Sequence, residues 1–185
     1  MDTIAPYAAG ILPYTFYNGK LYLLLGKDVR DNLWSDFGGK NEPVDEGRPL
    51  NTAVREFYEE TCGIIMDLKS LKNRMANASC TLQSQTQIGK TYYMYTLEIP
   101  YNSTYRSIYR KILAYMRHIK MFRKRCEKTD IKWVSAESLL DGNLALRPVF
   151  RATFQKWFAK EGTVLVKCAK LVSTKSVIDG SKTTS

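Results

Sequence analysis

The order of apolar and polar positions predicts two strands, a helix, more strands and then a long helix. Residues 8–16 and 20–25 are dense in aromatic and aliphatic side chains, with Tyr17-Asn18-Gly19 between them. Asn-Gly supplies the positive φ angles of a tight turn, so this pair reads as an antiparallel hairpin. Residues 26–31 break the pattern, and 34–37 lead into Gly38-Gly39. The period then changes. Ala53, Val54 and Phe57 recur at helical spacing over 49–61, with Pro49 suited to the first turn and Gly63 to a stop. Strands are expected at 64–68, 79–87 and 91–99, the last two joined around Ile88-Gly89-Lys90. Residues 103–125 are expected to form the longest helix. Ile108, Ile112, Tyr115, Ile119 and Phe122 repeat at intervals of four, three, four and three, giving one apolar stripe. At about 100° per residue, Arg106, Arg110, Arg117 and Lys124 lie opposite it, so a helix docked by the stripe turns a basic ridge outward. A strand at 131–134, a short turn or helix at 136–140 and an amphipathic helix at 149–158 complete the pattern. Beyond Gly162 a short apolar patch precedes a Ser/Thr/Lys-rich end, and residues 173–185 are expected to be loosely held.

Composition narrows the classes. The 185 residues favour one domain, and 44% hydrophobic with 25% charged residues excludes a disordered chain, a collagen and a coiled coil. No apolar run approaches the ~20 residues of a membrane span. Met1-Asp2-Thr3 opens without a basic patch or long apolar stretch, so no secretory signal is expected, and the expected setting is cytoplasmic. Cys62, Cys80, Cys126 and Cys168 form no C-x-x-C pair and His118 is the single histidine, which disfavours zinc and suits free thiols in a reducing compartment. Charge adds more. The net charge is +10, and residues 100–132 carry ten Lys/Arg against Glu127 and Asp130, or +8 of it. Such a concentration is either a footprint for a polyanion or a solvated basic helix.

Candidate chemistry centres on Arg55-Glu56-Phe57-Tyr58-Glu59-Glu60. On a helix Glu56 lies three residues before Glu59 and four before Glu60, so the three carboxylates share a face. Their repulsion is costly unless a cation neutralises it, and hard oxygen ligands suit Mg²⁺ or Mn²⁺. Arg55 can pair with a neighbouring carboxylate and fix its rotamer. Together with Gly38-Gly39, the acidic loop at Asp45-Glu46 and the following Gly63-Ile64, this resembles the Nudix box, G-x5-E-x7-R-E-U-x-E-E-x-G-U. Gly39, Arg55, Glu56, Phe57, Glu59, Glu60, Gly63 and Ile64 take the matching roles. The loop holds two extra residues, so either Asp45 or Glu46 serves as its acid, and Cys62 is one extra residue after Glu60.

The resemblance spans roughly residues 5–160. It implies an α/β Nudix-type α/β/α sandwich around a mixed β-sheet, with a domain at 1–162, a basic helical insertion at 103–125 and a tail at 163–185. It implies hydrolysis of a phosphoric anhydride in a nucleoside diphosphate linked to another group. Glu56, Glu59, Glu60 and the Gly39 carbonyl are the implied metal ligands, and Arg55 belongs to the catalytic set. Either Glu59 or Glu127, ahead of the 131–134 strand, is the general base. Lys27 and Lys40 are candidates for phosphate contacts, and Trp34, Phe16 and Tyr14 for stacking on a base. A basic helical insertion beside a Nudix core also resembles the mRNA-decapping enzymes of large DNA viruses. On that reading Arg106, Arg110, Arg117 and Lys124 hold the RNA body and the products are 7-methyl-GDP and 5′-monophosphate RNA. Diphosphoinositol polyphosphates, dinucleoside polyphosphates and nucleotide sugars are the competing substrates. A catalytically silent RNA-binding Nudix module is the reading of another class. No obligate protein partner is evident.

Overall fold

The computed structural model describes residues 6–86, 89–119, 127–164 and 166. The expected loose end at 173–185 lies outside them. Among the described residues a mixed seven-stranded sheet organises the chain. Strands β1 (Tyr7–Tyr17) and β2 (Lys20–Asp28) form the expected hairpin, turning at Asn18 (φ 49°) and Gly19 (φ 71°). They are followed by β3 (Trp34–Ser35), β4 (Phe37–Lys40), β5 (Leu82–Gln85), β6 (Thr91–Glu98) and β7 (Lys128–Ser135). The main order is β3-β2-β1-β6-β5, with β4 on β1 and β7 on β2. β1 is the hub, antiparallel to β2 and β4 and parallel to β6. A strand covered on both faces needs apolar residues at successive positions, and Ala9, Ile11 and Leu12 are all fully buried.

Helices cover the two faces. Helix α1 (Pro49–Glu60), α2 (Leu68–Met75) and α3 (Tyr105–His118) pack on one side, where Ala9, Ile11, Leu24 and Phe37 of the sheet meet Ala53, Val54 and Phe57 of α1. Helices α4 (Ala136–Leu140) and α5 (Pro148–Trp157) cover the other, where Leu12, Leu21, Leu23 and Leu25 meet Phe150, Phe154 and Trp157. The result is the expected α/β/α sandwich. No helix among the described residues is long and apolar enough to cross a membrane.

Two expectations are corrected. Residues 64–68 form no strand. Cys62 (φ 53°) and Gly63 (φ 65°) turn the chain out of α1, and the Asp67 carboxylate accepts from the Ser70 N–H to cap α2. The second correction concerns α3, which runs over 105–118 rather than 103–125; residues 120–126, with Phe122 and Lys124, lie outside the described part. Its buried residues are Tyr105, Tyr109 and Leu113, whereas Ile108, Tyr115 and Ile119 of the expected stripe are exposed. The two stripes lie about 85° apart around the helix, and tyrosine decides between them. A buried phenol needs a partner, and the Tyr109 hydroxyl finds the Glu60 carbonyl at 3.0 Å, with that of Lys128 at 3.3 Å. Turning the helix this way brings Arg106 and Arg110, one step past Tyr105 and Tyr109, within reach of Asp130 on β7, with both side chains still open to solvent.

The packed face can be tested by truncation. Leu113→Ala is expected to destabilise the chain by about 3 kcal/mol. Tyr115→Ala, at a position 65% exposed, should stay within about 0.5 kcal/mol of the parent in urea unfolding. The opposite ranking would restore the expected stripe as the packed face.

Candidate active site

Glycines let α1 lie directly on β4. Gly38 opposes Gly10 in the β1–β4 register, and a Cβ on either would collide with the other's backbone. At Gly39 a Cβ would run into the Glu56 carboxylate. The Gly38 N–H donates to Glu60 Oε2 at 2.8 Å. The strand backbone and two carboxylates therefore meet in a space that no side chain fills.

Arg55 fixes the outer part of this cluster. Its Nε and Nη2 donate to the two Asp45 oxygens, each at 2.9 Å, and Nη2 also donates to the Lys40 carbonyl at 2.9 Å. Its Nη1 lies 3.0 Å from Glu56 Oε1, 3.4 Å from Glu59 Oε2 and 3.7 Å from Glu42 Oε1. One guanidinium thus faces four carboxylates. Asp45 is the loop acid that engages it: it is buried and also accepts from the Thr52 hydroxyl and the Glu42 N–H, both at 2.8 Å. Glu46 instead sits exposed at a left-handed position (φ 55°). Burial alone would raise the Asp45 carboxyl. The Arg55 hydrogen bonds, with those of Glu42 and Thr52, outweigh it and hold Asp45 below the usual carboxylate range.

The inner part is a buried ionic chain. Lys128 at the start of β7 is 0% exposed. Its Nζ lies 3.3 Å from Glu60 Oε1, 3.1 Å from Ser35 Oγ and 3.8 Å from Asp28 Oδ2. Arg147 donates to Asp28 Oδ2 at 2.9 Å from the foot of α5. Glu127 is exposed, and its Oε2 accepts from Arg30 Nη2 at 2.7 Å. Burial pushes the Glu60 carboxyl up, against the pull of Lys128. Burial likewise raises Glu56 to about 7, with Arg55 opposing and the Glu59 and Glu127 charges adding to the rise. Glu56, Glu59 and Glu127 therefore share one electrostatic field. Beneath them Asp36 accepts from the Tyr92 hydroxyl at 2.6 Å, and its burial raises it to about 6.

No protein-family model matches the chain. An uncharacterized protein of Acanthamoeba polyphaga mimivirus, L534, is 42% identical over 69 residues, which span 35% of this chain and 22% of that protein. Solved structures match over far more of the chain. RenU, a Nudix hydrolase from M. smegmatis, aligns with a TM-score of 0.51 at 16% identity over 85% of this chain and 87% of its own. The NUDIX domain of Shewanella oneidensis NrtR, complexed with ADP-ribose, aligns at 0.53 and 13% over 80% and 83%. A C. elegans Ap4A hydrolase aligns at 0.50 and 20% over 82% and 96%. The fold is the Nudix fold.

Within the Nudix fold the expected site residues divide. Arg55, Glu56, Glu59, Glu60 and Gly39 gather at the α1–β4 contact, with Lys40 at its exposed rim, while Glu127 stands ahead of β7, paired with Arg30. Among the described residues, no three acidic, histidine or cysteine side chains converge as a ready metal-ligand set. Tyr14 and Phe16 are not brought to the carboxylates. They pack with Trp157 on the α5 side, because even-numbered β1 positions face away from α1. Trp34 is buried there too, with Lys132 Nζ 4.5 Å over its ring and Lys27 beside it in register. Arg106 and Arg110 both close on the Asp130 carboxylate, at 2.6 and 2.7 Å, with 45% and 57% of their side chains still exposed. Arg117 is exposed in the last turn of α3. A cleft of about 870 Å³ between the loop at Val44–Arg48, α1 and α2 reaches the cluster only at Asp45, Arg55 and Glu59.

Sequence reasoning missed Lys128 as a site residue, counting it only as one of the ten cations of 100–132. A bulge between Lys27 and Asp28 shifts the β2–β7 register at its position, and nothing in the local sequence marks that bulge.

The Arg55–Asp45 pair carries a pH signature. Asp45→Asn is expected to cost about 3 kcal/mol at pH 7, since it leaves a largely buried guanidinium short of its partner. Because the Asp45 carboxyl is held low, the parent's advantage is full above the ordinary carboxylate range. It fades as the pH falls through the lowered value, so the two urea midpoints should approach one another below about pH 4. A gap that stays constant down to pH 3 would contradict the ionic role.

Proposed function

We propose that this chain is a divalent-metal-dependent pyrophosphohydrolase and that its substrate is the 5′ cap of RNA. The observation that carries the catalytic reading is the single Arg55 guanidinium facing Asp45, Glu42, Glu56 and Glu59 at the glycine-lined contact. That excess of negative charge suits a hard divalent cation. Glu56, Glu59 and the Gly39 carbonyl are the residues to hold it, with Glu60 behind them. Bound Mg²⁺ or Mn²⁺ supplies charge neutralisation at the diphosphate and a lowered pKa for the attacking water.

The chain's own residues do the rest. Arg55 restrains Glu56 and Glu59 against the Asp45 anchor. Glu59 is exposed and meets Arg55 through Oε2 at 3.4 Å, so while one oxygen would hold the cation the other can accept the proton of the attacking water; Glu127 is tied to Arg30 and ranks second as base. Water oxygen bonds to a phosphorus of the anhydride, the bridging P–O bond breaks, and the leaving phosphate takes its electrons. For a capped RNA this gives 7-methyl-GDP and a 5′-monophosphate end.

The net charge of +10 and the cations Lys27, Lys132, Arg106 and Arg110 around the single Asp130 support a polyanionic substrate. One observation favours a second reading. Arg106 and Arg110 spend part of their charge on Asp130, which leaves less for a long RNA. A dinucleoside polyphosphate, ADP-ribose-like or diphosphoinositol substrate needs less.

The test is release of product from RNA labelled in its cap phosphates, with Mg²⁺ or Mn²⁺ present. Metal-dependent 7-methyl-GDP is expected, and Glu59→Gln should lower kcat by at least about 100-fold with the fold intact. Hydrolysis of small anhydrides without cap release would move the assignment to the second reading. RNA binding without any turnover would make the chain a silent module.

A further inference from the structure

The fully buried ammonium of Lys128 takes no part in the proposed hydrolytic steps. It stands where four elements meet: β7, the end of α1 through Glu60, the end of β2 through Asp28, and β3 through Ser35. Both Glu60 oxygens are engaged, Oε1 by Lys128 and Oε2 by the Gly38 N–H. The Glu60 side chain is only 3% exposed, so water does not compete for it. Asp28 is equally buried and is shared with Arg147 and the Arg30 N–H. Glu56 and Glu59, by contrast, share Arg55 among the described residues, and Glu59 is open to solvent.

We propose that Lys128 is a positioning residue that acts as the built-in counter-cation of Glu60, so that a divalent ion is bound by Glu56 and Glu59 rather than by all three glutamates of α1. The proposal rests on the reading of α1 as a metal-binding helix. Its physical basis is charge balance. A carboxylate already neutralised by an ammonium at 3.3 Å and oriented by a backbone N–H offers little to a second cation. Lys128 also repels a cation placed beside Glu56, and so sets how tightly that cation is held.

Mn²⁺ titration followed by electron paramagnetic resonance, without substrate, tests this. Lys128→Met frees Glu60 and removes the repulsion, so Mn²⁺ should bind at least about tenfold tighter, as ligand charge count dictates. Lys128→Arg should match the parent. Removing the pair together, Glu60→Gln with Lys128→Met, deletes a neutral unit and avoids a buried unpaired charge. Its Mn²⁺ affinity should stay within about threefold of the parent. Unchanged or weaker binding in folded Lys128→Met would overturn the proposal. So would loss of Mn²⁺ binding in the double variant, which also covers the case in which the single variant does not fold. Because no substrate is present, failure to cleave capped RNA leaves this test intact, and failure here leaves the cap-release assay intact.

Discussion

Everything at the α1–β4 contact follows from the need to hold like charges close together without water. Helix geometry places Glu56, Glu59 and Glu60 on one face, and packing Phe57 into the core commits that face to the sheet. The glycines at 10, 38 and 39 allow the approach, and the approach removes solvent from Glu56 and Glu60. Burial then makes ionisation expensive, which is why both carboxyls titrate high. The chain answers with two cations of different kinds. Arg55, a planar fork, spans several carboxylates at the mouth. Lys128, a point charge, sits behind them in the dry interior.

The same ionic frame ties distant parts of the sequence together. Asp45 in the loop and Arg55 on α1 form one set at the mouth, and Glu60 at the end of α1, Lys128 on β7, Asp28 on β2 and Arg147 before α5 form a second behind it. The tightly buried members have no solvent alternative, so they fix the relative positions of the elements as well as the charges.

Local signals were legible where a short stretch decides its own conformation. The Asn18-Gly19 turn, the Pro49 start of α1 and the R-E-x-x-E-E spacing each act within a few residues. Charge count was legible as well, but not its disposition. Arg106, Arg110 and Lys128 look alike in a basic run, yet the first two clamp Asp130 and the third is sealed beneath Glu60. The orientation of α3 escaped because two apolar stripes were available and a buried hydroxyl chose between them. Helix α2 escaped because the apolar run at 64–66 resembles a strand start, whereas Asp67 and its bond to Ser70 make it a helix entry. The choice between Asp45 and Glu46 needed the fold, since only the turn at Pro43–Asp45 aims one carboxylate at Arg55.

The most direct test is a crystal of the chain grown with Mn²⁺ and measured for anomalous scattering. The expected result is a manganese peak at the α1–β4 contact, within bonding distance of Glu56 and Glu59. A fully loaded crystal with no peak on α1, or with manganese held only elsewhere, would contradict the account.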